Sequence, residues 1–219
     1  MIIMQTSDAV GRREYIQKKG LGKVIFTHET GDSVCVQYHP KGIRGTSPNR
    51  ICGGMQPIEI ELGGVIPELD SHTRSASNPD PLIARFSPWH ACGSIDTYPT
   101  YSKKMRRNGD LHLLGATLRL KPGETDTQAA AKQWEETFGI KRNGDTIEFT
   151  QARLGFVKGE EGKSEGITEI RIGVEGQKRM EEILWRAKFE GLSVDKDGLV
   201  EMLGVRWKFV LAGGEKSKI

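Results

Sequence analysis

Glu169-Ile170-Arg171-Ile172-Gly173-Val174, then Gln177 to Glu190, Gly191, Leu199-Val200-Glu201-Met202 and Val205-Arg206-Trp207-Lys208-Phe209-Val210-Leu211 is the stretch that decides the fold. Its first six residues read as a short apolar strand. Met180, Ile183, Leu184 and Ala187 then recur at i, i+3, i+4 and i+7, which lays one apolar stripe along a helix. Gly191 supplies the left-handed residue at which such a helix ends. Val205 to Phe209 alternates apolar and charged residues, the pattern of a strand with one buried face. A one-striped helix between strands packs on one face of a sheet.

The same order occurs twice more. Ile2-Ile3-Met4-Gln5, Ser7-Asp8, Ala9 to Lys19 and Gly20 or Gly22 make one copy; Ala116-Thr117-Leu118-Arg119-Leu120, a loop to Asp126, Thr127 to Phe138 and Gly139 make another. Ala130, Trp134 and Phe138 recur at i, i+4 and i+8, whereas the first helix scatters Val10, Tyr15 and Ile16 among Arg12, Arg13, Lys18 and Lys19. Strand candidates follow each helix: Lys23 to Thr27, Ser33 to Tyr38 and Val65 to Leu69; Thr146 to Thr150 and Leu154 to Val157; Leu199 to Met202 and Val205 to Leu211. The repeat is therefore a βαβββ unit of about 50 residues. One such unit cannot bury both faces of its sheet, so units pair.

The Ser-, Pro- and Asn-rich stretch from Asp70 to Asp110 separates the first two units and reads as a linker, with Phe86, Pro88 and Trp89 as apolar anchors. Lys103-Lys104-Met105-Arg106-Arg107 within it reads as a solvated loop face, and Gly213 to Ile219 as a frayed tail. Glycine accounts for 27 of 219 residues, about 12% against a usual value near 7%, which fits many turns between short elements. A net charge of +3, with signs interspersed, gives no reason to expect a nucleic-acid or anionic-membrane partner and leaves a small molecule as the default. No apolar run reaches the ~18 residues that span a bilayer, and Met1 to Gln5 lacks the form of a signal peptide, so a soluble cytoplasmic protein is expected. Cys35, Cys52 and Cys92 have no metal-knuckle spacing and read as free, buried or half-buried thiols.

Repeated βαβββ units resemble the vicinal oxygen chelate superfamily, which includes glyoxalase I, bleomycin-resistance proteins, methylmalonyl-CoA epimerase and the dihydroxybiphenyl dioxygenases. The residues that carry the resemblance are His39-Pro40-Lys41 followed by Gly64-Val65-Ile66-Pro67-Glu68-Leu69, Gln5-Thr6-Ser7-Asp8, and Gly204-Val205-Arg206-Trp207-Lys208-Phe209-Val210. They imply an α+β chain of repeated βαβββ modules. The expected boundaries are a single module over 1–72, with an insertion at 46–63, a linker over 73–110, a complete pair over 111–212 and a disordered tail over 213–219. Within 46–63, Pro57 to Leu62 competes with Val65 to Leu69 for the last-strand position.

The resemblance also implies chemistry. In that superfamily a divalent metal sits in the sheet of a paired module, held by His, Gln or Glu of first and last strands, and chelates a substrate with vicinal oxygens. It stabilises an enediolate or activates oxygen, depending on the nearby base. In the first unit the last-strand position falls on Glu68, a carboxylate ligand, and the first-strand position on Met1. His39 is the second candidate ligand. In the second unit the positions fall on Gly115, with His112 nearby, and near Phe156; in the third they fall on Glu169 and Lys208, and a lysine there argues against a metal in that pair.

The expected function is metal-assisted lyase, isomerase or dioxygenase-type chemistry on a small oxygenated metabolite, with one divalent ion as cofactor. The alternatives are a metal-free binding protein of the bleomycin-resistance kind and an inactive, truncated or mis-spliced paralogue. A homodimer through the unpaired first unit is a further expectation. Trp89-His90-Ala91-Cys92-Gly93 does not make a nucleophile and base, because neighbours on extended backbone point to opposite sides. Trp134, Trp185 and Trp207 read as core residues.

Overall fold

The computed structural model describes residues 1–47, 49–51, 60–62, 64–76, 78–83 and 95–212. The first unit comprises β1 (Ile2–Gln5), α1 (Ala9–Lys19), β2 (Val24–Glu29), β3 (Ser33–Tyr38), the short β4 (Asn49–Ile51) and β5 (Ile60–Leu62), and β6 (Pro67–His72). Four of these strands form one sheet in the order β1-β6-β3-β2, with β1 parallel to β6 and the other pairs antiparallel. β4 and β5 pair only with each other. The last-strand position therefore belongs to β6; residues 48, 52–59 and 63 of the 46–63 stretch lie outside the described residues, as do Phe86 to Gly93 and the tail. β6 starts at Pro67 rather than Val65, because Val65 bonds to Thr46 O (2.9 Å) and a proline is tolerated where a strand begins.

The stretch read as linker carries α2 (Tyr98–Met105), with Pro99 in its first turn and Tyr98 and Ser102 buried. Lys103, Lys104, Arg106 and Arg107 are exposed at its C-terminal end. Next come β7 (Leu111–Arg119), α3 (Thr127–Phe138), β8 (Arg142–Asn143), β9 (Thr146–Glu148), β10 (Arg153–Val157), β11 (Gly166–Val174), α4 (Gln177–Phe189), β12 (Leu199–Met202) and β13 (Val205–Leu211). These nine elements contribute one seven-stranded sheet, ordered β12-β13-β11-β7-β10-β9-β8. β7 and β11, the strands ahead of α3 and α4, lie side by side and antiparallel at its centre. Lys141 to Asp145 holds β8 of a tight hairpin. In the third unit the strand expected after the helix shrinks to one bridge, Val194 to Val200, because the Asp195 side chain accepts from the backbone N–H of Asp197 and Leu199 and turns the chain at once.

The architecture is thus α+β, and what joins its two sheets is apolar. Ile16 of α1 with Val36, Tyr38 and Leu69 of the first sheet share one core with Leu118, Trp134, Phe138, Leu154 and Phe156 of the second. Arg12 on α1 secures the seam: its Nε donates to Thr137 O (2.9 Å) and its Nη2 to Glu136 O (2.6 Å), placing a cation on the negative end of α3. α3 ends at Gly139 with φ +73°, the left-handed conformation that favours glycine, and a Cβ there would press on the Arg12 guanidinium at 2.9 Å. Trp134 is fully buried, but Trp185 is 62% exposed: it lies one residue off the sheet-facing stripe of α4 and stacks on Phe189 at 5.2 Å.

Candidate metal centre

Strand alternation puts Leu69, Val36 and Met4 in the shared core and turns their neighbours to the other face of the first sheet. On that face Ile3 stands beside Glu68 and Gln5 beside Asp70 across the β1-β6 pair; Gln37 stands opposite Glu68 and Cys35 opposite Asp70 across the β3-β6 pair. Glu68, Asp70 and Cys35 are buried, at 2%, 1% and 3% exposure. One ligand atom from each of the three falls within 4.8 Å of the other two, and theirs is the group of this kind among the described residues.

Gln37 Nε2 donates to Glu68 Oε2 at 2.6 Å. Neither oxygen of Asp70 has a hydrogen-bond partner of sound geometry. Burial pushes the Asp70 carboxyl up to about 7, and the charge of Glu68 adds to the rise. Burial, then the charges of Glu68 and Asp70, push the Cys35 thiol up as well. A buried carboxylate with no partner is costly, and a second carboxylate beside it makes the cost larger. A divalent cation among two carboxylates and a thiol removes both costs at once, so these residues fit the metal that the resemblance implies.

Glu68 stands where the sequence put it, inside this cluster. His39 follows β3 and belongs to no such group among the described residues: its Nδ1 accepts the backbone N–H of Lys41 at 3.0 Å, closing the turn. Cys35 and Asp70 carry the signal the sequence reading missed, since Glu68-x-Asp70 and Cys35-x-Gln37 each alternate onto one face. Elsewhere, Phe156 packs in the core against Trp134, His112 pairs with Glu175 (2.6 Å), and Glu169 pairs with Arg206 (3.3 Å). Lys208 Nζ donates to Asp197 O, and Gly115 lies between Arg153 and Arg171.

A groove of about 660 Å³ lies away from this cluster, between the Lys41–Ser47 turn and α3. Its polar groups answer one another: Arg44 pairs with Glu124 at 2.7 Å, and Glu165 accepts from the Gly45 N–H. It is a seam between the sheets.

No family model and no curated protein matches the chain. Among solved structures, BphC, a halotolerant catechol dioxygenase, is similar with a TM-score of 0.46 and 12% identity over 96% of this chain and 66% of that one. A hypothetical protein from Staphylococcus aureus is similar with a TM-score of 0.44 and 10% identity over 95% and 64%. The chain spans just under two thirds of the length of either structure. The strand order described above stands without these likenesses.

No helix among the described residues is long and apolar enough to cross a membrane.

Proposed function

We propose that the chain is a vicinal oxygen chelate type protein that holds one divalent metal at Cys35, Glu68 and Asp70 and acts there on a small oxygenated metabolite. The observation that carries this reading is the buried, unpartnered Asp70 carboxylate beside Glu68. A divalent ion held there by Cys35, Glu68 and Asp70 would supply Lewis-acid stabilisation to oxygens of the substrate. The chain's own residues do the rest. Glu68 is oriented by the Gln37 amide and so presents a fixed oxygen. Asp70 offers two oxygens that make no hydrogen bond of sound geometry, and the apolar core behind β6 keeps water from the back of the site. Gln5 and His72, whose Nε2 and Nδ1 lie 3.3 Å apart on the same face, stand where a substrate hydroxyl or carbonyl meets a donor.

Metal content of the purified protein tests the reading. One equivalent of a divalent metal, lost on Glu68→Ala and on Asp70→Asn without loss of fold, is expected; protein that takes up no Mn, Fe, Co, Ni or Zn in equilibrium dialysis overturns it. As a second part of the proposal, β1 is an edge strand with Met1 and Ile3 exposed, and two copies pair through it. Light scattering at high concentration is expected to give a dimer mass, and a monomer mass removes this part.

A further inference from the structure

The cluster on the first sheet mixes two kinds of donor. Glu68 and Asp70 offer hard carboxylate oxygens, whereas Cys35 offers a polarisable sulfur, and one ligand atom of each lies within 4.8 Å of the other two. A buried cysteine that serves packing alone behaves as a small apolar residue. Cys35 has the wrong surroundings for that role. Its neighbours Val34 and Val36 turn to the shared core, which sends Cys35 to the other face, opposite Asp70 and next to the Gln37–Glu68 pair. Two buried acids beside a thiol suit an ion and are what packing avoids.

The donor set and its burial count against the oxygen-seeking ions. Calcium takes about six to eight oxygen ligands. The two carboxylates fall short of that, and Gln37 already donates to Glu68 Oε2 at 2.6 Å. Magnesium parts with water reluctantly and keeps several water molecules when bound. Glu68, Asp70 and Cys35 are all buried, so an ion among them sheds most of its hydration. Nor does one sulfur beside two carboxylates make the sulfur-rich setting of copper(I) or of an iron–sulfur cluster. Mixed sulfur and oxygen at a low coordination number suits zinc, and cobalt(II) and iron(II) as ions of similar borderline character.

We infer that Cys35 is the residue that sets the identity of the ion: bound as the thiolate, it makes the centre one for zinc, cobalt(II) or iron(II) and against magnesium, calcium and manganese. The inference rests on the metal-holding reading given above. As the ion enters, the thiol proton passes to solvent and a metal–sulfur bond takes its place. Most sites bind zinc more tightly than manganese, so a preference for zinc is not by itself the mark of the sulfur. The part of that preference which disappears with Cys35 is.

Cobalt(II) is the probe, added at one equivalent to the reduced, chelator-stripped full chain without air. A thiolate on cobalt(II) gives an intense near-ultraviolet charge-transfer band, and carboxylates give none. The chain has three cysteines, so Cys52→Ser with Cys92→Ser leaves Cys35 as the one source of such a band. That variant is expected to keep the band, and Cys35→Ser to lose it. In equilibrium dialysis Cys35→Ser is expected to weaken zinc tenfold or more and to leave manganese nearly unchanged. Should Cys35→Ser fail to fold, the spectrum of the Cys52→Ser, Cys92→Ser chain decides the matter. Cobalt taken up by that chain with no thiolate band overturns the inference and leaves a metal at Glu68 and Asp70 standing, as does a folded Cys35→Ser chain with the wild-type ratio of zinc to manganese affinity. A chain that takes up no ion overturns both.

Discussion

The two sheet faces turned away from the shared core are built from the same kind of unit and carry different chemistry. In the first unit, the strand running parallel to the opening strand brings Glu68 and Asp70 onto that face; in the second and third units, the corresponding strands bring Arg153 and then Arg206 and Lys208. The acidic face is buried and leaves a carboxylate unpartnered, whereas the basic face is largely exposed. The difference teaches that the unit fixes where a functional side chain stands and leaves its charge open. Burial then decides how much that charge costs.

The largest expected effect is a pH dependence confined to the acidic face. The folded-state pKa of Asp70, about 7, lies above its ordinary value of 3.8, so between those two values the folded chain holds a proton that the unfolded chain has released. In chelator-treated protein, stability contributed by this group is present below about pH 4, falls as pH rises to 7, and stays lost above it; the difference is about 4 kcal/mol. Urea unfolding of wild type and Asp70→Asn across pH 4 to 8 measures it: the variant lacks this slope and is the more stable of the two at pH 8. If the two curves run parallel, the acidic face is not strained as described.

Gln37→Leu comes next. It deprives the buried Glu68 of its amide donor and is expected to cost about 1–3 kcal/mol in the same assay. The smallest effect belongs to the basic face, where Lys208→Glu replaces a like-charge neighbour of Arg171 with an opposite one on a partly exposed surface. Because the substitution also removes the bond to the Asp197 carbonyl, it is expected to change stability by less than about 1 kcal/mol in either direction. A loss of several kcal/mol there would show that the basic face supports the fold.

Much of the frame was legible because two periodicities and a set of turn residues agree. Ile2–Gln5, Ser33–Tyr38, Leu199–Met202 and Val205–Leu211 are strands at the expected bounds, and Ala9–Lys19 and Thr127–Phe138 are helices between an aspartate cap and a left-handed glycine. α2 escaped notice because Pro99 and its polar neighbours resemble a loop, although a proline in the first turn suits a helix start. Trp185 was misplaced because apolar character says nothing of a residue's angle on the helix, and one position moves it by about 100°. At the site, Glu68 could be found from its place in the unit. For Asp70 and Cys35 alternation shows only that each shares a face with Glu68 or Gln37; that the two pairs meet depends on the register between β3 and β6, across the intervening 46–63 stretch. His39, conspicuous in the sequence, serves the turn.

Arg12 has a thermodynamic consequence beyond holding α3 to α1. Because its guanidinium reaches the last carbonyls of α3, and because Tyr38 and Phe138 meet in one apolar core, neither sheet can open without exposing the other's interior. The sheets are therefore expected to unfold in one transition, with melting curves by fluorescence and circular dichroism that coincide. Any ion that the folded chain takes up on the first sheet then stabilises the second as well.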